Sequence, residues 1–197
     1  MPTGRYTVLG DDGAPAGTED FRCAPGPMGW RYFSDTQTDH HEIVDVAVDR
    51  DWRVARVRID TGDHDILLEP RGDTLAGYRD RLEIEIPYGP DTHLDYFTPA
   101  TNAITCRRLD RTAEIDVVYL QPRTLDPFEV RQRYELHGPE EITTPAGRFR
   151  ATRWTFTTLD SGWTADLWIA GDTVVKYDNL FTLEGYEPGA SGIHPNS

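Results

Sequence analysis

Residues 42–60 read EIVDVAVDRDWRVARVRID, two runs of strand length hinged on Asp49-Arg50-Asp51. In the first run Val44, Val46 and Val48 fall on one face, and Ile43, Asp45, Ala47 and Asp49 on the other. That period of two belongs to a β-strand with one side buried and the other mixed. A link this short joins antiparallel neighbours, because a parallel crossover takes about a dozen residues or more.

The same pattern repeats outward in both directions. Segments rich in Val, Ile, Thr, Tyr, Phe and Trp recur from Thr18 to Tyr186, punctuated by turn-like links such as Thr61-Gly62-Asp63, Arg71-Gly72-Asp73, Asp160-Ser161-Gly162 and Gly171-Asp172. Helical periodicity is nearly absent. The exception is the stretch from Thr98 to Leu109, where Thr98 offers a cap, Pro99 suits a first helical position, and Ala103, Ile104 and Leu109 form a weak apolar stripe. One short helix or ordered crossover is expected there, lying across the mouth or concave face of a curved sheet.

The strands near the C-terminus carry large apolar groups on both faces: Trp163, Ala165, Leu167 and Ile169 oppose Thr164, Asp166 and Trp168. An open single-layer sheet in water would not tolerate this, so one face meets the core and the other a second layer or a cavity. The expected fold is therefore mainly β: a single domain over residues 1–197 in which a curved antiparallel sheet forms a barrel or half-barrel, a calyx, with the short helix across it. Residues 1–16 and 188–197, rich in Gly and Pro, are expected to be poorly ordered.

Composition narrows the function classes. A formal net charge of -14 repels phosphate backbones and anionic headgroups, so nucleic acid is not an expected partner. No stretch approaches the roughly 20 apolar residues that span a bilayer, so no membrane insertion is expected, and the opening MPTGRYTVLGDDG lacks a basic region followed by an apolar run, which points to a cytoplasmic protein. Cys23 and Cys106 read as two small buried side chains rather than a disulfide. Lys176 is the only lysine, and the abundant Arg and Asp residues are expected to pair in forks over a charged exterior.

Few motifs carry chemistry. The clusters Asp39-His40-His41-Glu42, Asp63-His64-Asp65 and His93-Leu94-Asp95 lack metal-site spacing, so no metal and no cofactor is expected. No glycine-rich phosphate loop or nucleophile elbow occurs. The densest polar stretch runs from His93 through Asp95 and Tyr96 into Thr98 and Asn102, with Arg107 close behind. On an extended segment His93 and Asp95 share a face, where a carboxylate orients an imidazole for acid or base work; the plainer alternative is that these groups cap turns and the helix. Gln132, alone on the apolar side of the strand that holds Phe128, Val130 and Tyr134, is either a paired core amide or a ligand contact.

Thr144-Pro-Ala-Gly-Arg-Phe149, after Glu140-Glu-Ile-Thr143 and before Arg153-Trp154, resembles the T-P-A-G-x-F hairpin of a bacterial uncharacterised half-barrel family, which is similar to lipoprotein-carrier and glycolipid-binding folds. The likeness covers about residues 126–186. It implies a strongly curved sheet around an apolar cavity beneath a short helix, and assigns no catalytic residue.

Together these readings favour a calyx that binds a lipophilic or polycyclic small molecule, with Trp154, Trp168, Phe156, Tyr134, Gln132, Asn102 and Arg107 as candidate contacts. The alternative is a cofactor-independent enzyme of secondary metabolism on the same scaffold. It would be a cyclase, isomerase, hydratase or decarboxylase drawing acid and base from His93, Asp95, Tyr96 and Asp166. A third class, an interaction module using a sheet edge, predicts no sizeable cavity.

Overall fold

The computed structural model describes residues 1–26 and 29–189. Strands β1 (Thr3–Leu9), β2 (Pro15–Gly26), β3 (Gly29–Gln37), β4 (His41–Val48), β5 (Val54–Asp60), β6 (Asp65–Arg71), β7 (Thr74–Arg79) and β8 (Leu82–Pro87) form a meander. Strand β9 (His93–Asp95) and helix α1 (Pro99–Arg108) follow. A second meander runs through β10 (Ala113–Leu120), β11 (Pro127–Thr144), β12 (Gly147–Thr158), β13 (Thr164–Ala170), β14 (Thr173–Tyr177) and β15 (Phe181–Glu187). Strands β15 and β1 pair antiparallel, which joins the two meanders into one sheet of 15 strands with β8 at one edge and β9 at the other. Among the described residues only the β9–β10 pairing is parallel.

This order forces the sheet to curl. The chain passes from β8 to β9 through residues 88–92, and a link of that length reaches about 20 Å at most. Laid flat, the two edges would stand roughly 65 Å apart at ordinary strand spacing. The curl does not close: β8 and β9 remain the two ends of the sheet, so the architecture is the half-barrel form of the expected calyx.

Polar contacts across the gap hold the curl. The turn between β10 and β11 docks against the first meander, where the Arg79 guanidinium donates to the Thr124 carbonyl at 3.0 and 2.7 Å and pairs with Asp126 at 2.8 Å. Thr61 Oγ1 donates to the Arg123 carbonyl at 3.0 Å, and Arg123 pairs with Asp39. Leu125 beneath them is fully buried. Arg123 and Leu125 adopt left-handed backbone angles, φ 68° and 58°, and these docking contacts oppose the cost of that conformation.

The concave face is apolar as the alternation requires. Val44, Val46, Val48, Val57, Ile59 and Leu68 are buried, while Asp45 faces outward into a fork with Arg31 at 2.7 and 2.6 Å and a further bond from Arg56 at 2.7 Å. Where β11 must bend, its register against β12 shifts between Leu136 and Gly138, and Gly138 takes φ 109°, a value that a side chain would resist.

Helix α1 fills the interior. Every residue from Pro99 to Cys106 is buried, so its sequence lacks a polar face and the apolar stripe is weak. Thr98 caps it by accepting from the Ala100 amide, and Arg107 and Arg108 sit at its C-terminal end, where the helix dipole favours positive charge. Cys23 and Cys106 are buried free thiols.

One expectation fails at the N-terminus. Residues 3–9 form β1 in the middle of the sheet between β2 and β15, with Tyr6 and Val8 buried and the Tyr6 hydroxyl donating to the Val174 carbonyl at 2.7 Å. Turn residues at 10–14 make a hairpin here, so their Gly and Asp content marks a connection rather than an unstructured start. From residue 190 onward the expected loose tail lies outside the described residues.

Arg79→Ala removes three polar contacts at the docked turn and leaves the Thr124 carbonyl short of donors. Urea unfolding is expected to show a loss of about 2 kcal/mol. Arg79→Lys is expected to recover less than half of it, since an ammonium cannot reproduce the fork.

Candidate functional site

A cavity of about 420 Å³ opens where the second meander, the β9–α1 segment and the turn before β15 converge. Strands β10, β11, β12, β14 and β15 supply Tyr119, Gln132, Phe156, Tyr177 and Phe181, and the turns supply Phe97 and Trp163. The aromatic rings brace one another: Phe156 meets Trp163 edge-on at 5.6 Å, Phe97 lies 5.2 Å from Phe181, and Tyr134 supports Phe156 from below at 5.3 Å. Trp163 is 41% exposed and Phe97 37%, so two large aromatic side chains stand in water at the mouth.

The floor is polar. Asp95, at the end of β9, is buried; Thr101 Oγ1 donates to its Oδ1 at 2.9 Å and Gln132 Nε2 to its Oδ2 at 2.7 Å. Burial pushes the Asp95 carboxyl above the usual carboxylate range against the pull of those bonds. Gln132 Oε1 has no hydrogen-bond partner among the described residues. Asn102, on α1, donates to the Tyr134 hydroxyl at 2.9 Å. Burial and then the nearby Asp95 push the Tyr119 phenol up to about 12.

Two more carboxyls lie behind the wall. The Tyr96 hydroxyl donates to Glu42 Oε2 at 2.5 Å, and the Glu42 carboxyl also comes within 3.6 Å of His40. Glu19, at the N-terminus of α1, accepts from the Tyr32 hydroxyl at 2.5 Å and from Thr98 Oγ1 at 3.0 Å. Complete burial raises its pKa to about 7, with the hydrogen bonds opposing the rise.

The candidate residues divide sharply by position. Asp95, Tyr96, Asn102, Gln132 and Phe156 line the cavity, and Tyr134 lies directly beneath it. His93 does not reach Asp95: its Nδ1 lies 3.2 Å from Thr105 Oγ1, and burial lowers its pKa to about 3, leaving a neutral imidazole in the core. Asp166 and Trp168 point to the convex face because Ala165 and Leu167, one position away, take the interior. There Asp166 accepts from Thr155 Oγ1 at 2.5 Å and Trp168 Nε1 donates to Glu140 at 3.0 Å. Trp154 is core beside Leu167, and Arg107 stacks on Trp52, 5.1 Å from the ring centroid, outside the cavity.

Tyr119, Trp163, Tyr177 and Phe181 are lining residues that alternation along single strands did not single out. Tyr119, Tyr177 and Phe181 were legible as strand aromatics; Trp163, placed by alternation on the face of Ala165 and Leu167, lies just before β13, and nothing in that alternation marks a cavity mouth. Among the described residues no three His, Cys, Asp or Glu side chains are grouped to hold a metal ion, and no helix is long and apolar enough to cross a membrane.

No family model and no curated protein sequence matches the chain. Solved structures do. A DUF1089 family protein from Pseudomonas aeruginosa superposes with a TM-score of 0.59 at 16% identity, covering 86% of this chain and 93% of that one. A β-barrel-like DUF1849 protein from Brucella abortus gives 0.54 at 7% identity, covering 94% and 96%. The chain thus shares its fold with bacterial β-barrel-like proteins of uncharacterised families, in line with the resemblance carried by the Thr144–Phe149 hairpin.

Glu19 sets a pH dependence of stability. Its folded pKa of about 7 lies above the unfolded value, near 4.3. The folded state therefore holds a proton that the unfolded chain releases, and this contribution, full below the unfolded pKa, is lost as pH rises through the folded one. Unfolding free energies from urea titrations at pH 4 to 8 are expected to fall across that window more steeply in the native protein than in Glu19→Gln, by up to about 1.4 kcal/mol per pH unit.

Proposed function

We propose that the protein binds a lipophilic or polycyclic small molecule in the aromatic cavity. The observation that supports this best is the cavity's composition, two half-exposed aromatic side chains at the mouth and a buried, hydrogen-bonded carboxyl at the floor. Exposed Trp and Phe rings cost free energy in water, and a bound apolar molecule covers them. The volume suits a ligand of two or three fused rings or a short acyl chain, and the polar floor orients one end of it.

A second reading, acid catalysis on the bound molecule, has Asp95 in its favour, since burial holds its carboxyl toward the protonated form. On this reading Tyr96 and Asp95 are the candidates that remain in contact with the cavity, and His93 and Asp166 take no part.

The neutral probe N-phenyl-1-naphthylamine is expected to brighten on addition to the native protein. Trp163→Ala is expected to weaken that binding roughly tenfold, the worth of one lost aromatic contact of about 1.4 kcal/mol. No brightening, or equal binding by the variant, overturns the placement of the ligand here. A molecule released from protein purified out of its own host, analysed by mass spectrometry before and after incubation, separates the two readings: recovery unchanged favours binding alone, and conversion that is lost in Asp95→Asn favours catalysis.

A further inference from the structure

We infer that the ligand of this cavity is a lipophilic amine, bound as its cation with the ammonium group on Asp95 and the apolar body against the aromatic wall. The inference rests on the reading of the cavity as a ligand site and specifies the chemistry it selects.

Asp95 is the one ionisable acid or base other than tyrosine on the cavity wall, and its side-chain partners among the described residues, Thr101 and Gln132, are neutral. Its side-chain partners Thr101 and Gln132 take one acceptor position on each oxygen and the Tyr96 amide a third, where a carboxylate offers about four. The neighbouring Gln132 carries a second acceptor, Oε1, buried and without a partner. The spare acceptors at Asp95 and Gln132 lie side by side on the floor, and a protonated amine brings up to three donors to meet them.

Charge points the same way. A buried carboxylate that lacks a cation bears an uncompensated desolvation cost, which is why burial raises the Asp95 pKa; a bound ammonium offsets that cost directly. The walls add to it, since Tyr119, Phe156, Trp163 and Tyr177 surround the same space and the faces of aromatic rings attract cations. A carboxylate ligand would meet Asp95 as a like charge and enter against an overall charge of -14.

Titration calorimetry of the full chain at pH 7.5 with three molecules of one shape tests this: 2-(2-naphthyl)ethylamine, 2-(2-naphthyl)ethanol and 2-naphthylacetate. The amine is expected to bind at least about tenfold more tightly than the alcohol, and the acetate not measurably. Asp95→Asn, nearly identical in shape, is expected to abolish the preference, so that amine and alcohol bind the variant equally. Equal binding of amine and alcohol by the native protein overturns the inference and leaves the apolar cavity standing; absence of binding by all three overturns the cavity reading itself. The native ranking decides the matter even where Asp95→Asn does not fold.

Discussion

A short link and an ion-pair clamp define this molecule. The chain has only residues 88–92 to travel from one edge of a sheet of 15 strands to the other, and Arg79 fastens the β10–β11 turn to the opposite meander by three polar contacts. A sheet bent that far has a concave face too narrow for a second layer yet too wide for its own side chains to fill. The same crossing supplies the remedy. Helix α1, the next element after β9, drops into the interior and is buried over eight consecutive residues. Curl, plug and cavity are therefore consequences of one connection, and the cavity is the part of the concave space that α1 does not occupy.

Filling a barrel with a helix brings polar backbone into the core, and the buried acids are best understood against that constraint. The first turn of α1 leaves amide groups without intrahelical partners. Thr98 satisfies one of them, and its hydroxyl in turn donates to Glu19. Desolvation opposes ionisation of Glu19 while the hydrogen bonds from Tyr32 and Thr98 favour it, and burial prevails, so its pKa rises to about 7. Glu42 and Asp95 occupy the same region under different terms. The Tyr96 phenol meets the first, while the second is met by Thr101 and by Gln132, whose own carbonyl is left over.

How far the sequence reveals all this depends on the range of the interaction involved. Alternation in Val44, Val46 and Val48, and the short turns between strands, are local properties, and from them the antiparallel meander and its apolar face could be read. The helix was legible from Thr98 and Pro99, because capping is local too. Lines of sight failed where a neighbour distant in sequence decides. Residues 3–9 look like a frayed start until β15 arrives to pair with them. Asp166 and Trp168 look as eligible for the interior as Ala165 and Leu167, since both faces of β13 carry bulky groups, and only the pairing with β12 assigns them. His93 and Asp95 do share a strand of three residues, but Thr105 and Thr101 on α1 separate them, an arrangement that no spacing rule contains.

The polar floor and the structural plug share one segment of chain, and that ties the proposed recognition to folding. Residues 93–108 form the edge strand β9, the cap and the helix, and they carry Asp95, Tyr96, Phe97, Thr98 and Asn102 on the cavity wall. In proteins that place their sites on mobile surface loops, binding residues vary at little cost to the core. Here each floor residue is also a core contact: Asn102 holds the Tyr134 hydroxyl, and Thr101 holds both Asp95 and the Tyr96 carbonyl. A floor so constrained is preorganised, its donors and acceptors held before any ligand arrives. The adaptable part is the rim, where Phe97 and Trp163 are half exposed. On the proposed reading, the fold keeps one chemical requirement, the acceptors at Asp95 and Gln132, and leaves the shape of the mouth free to vary.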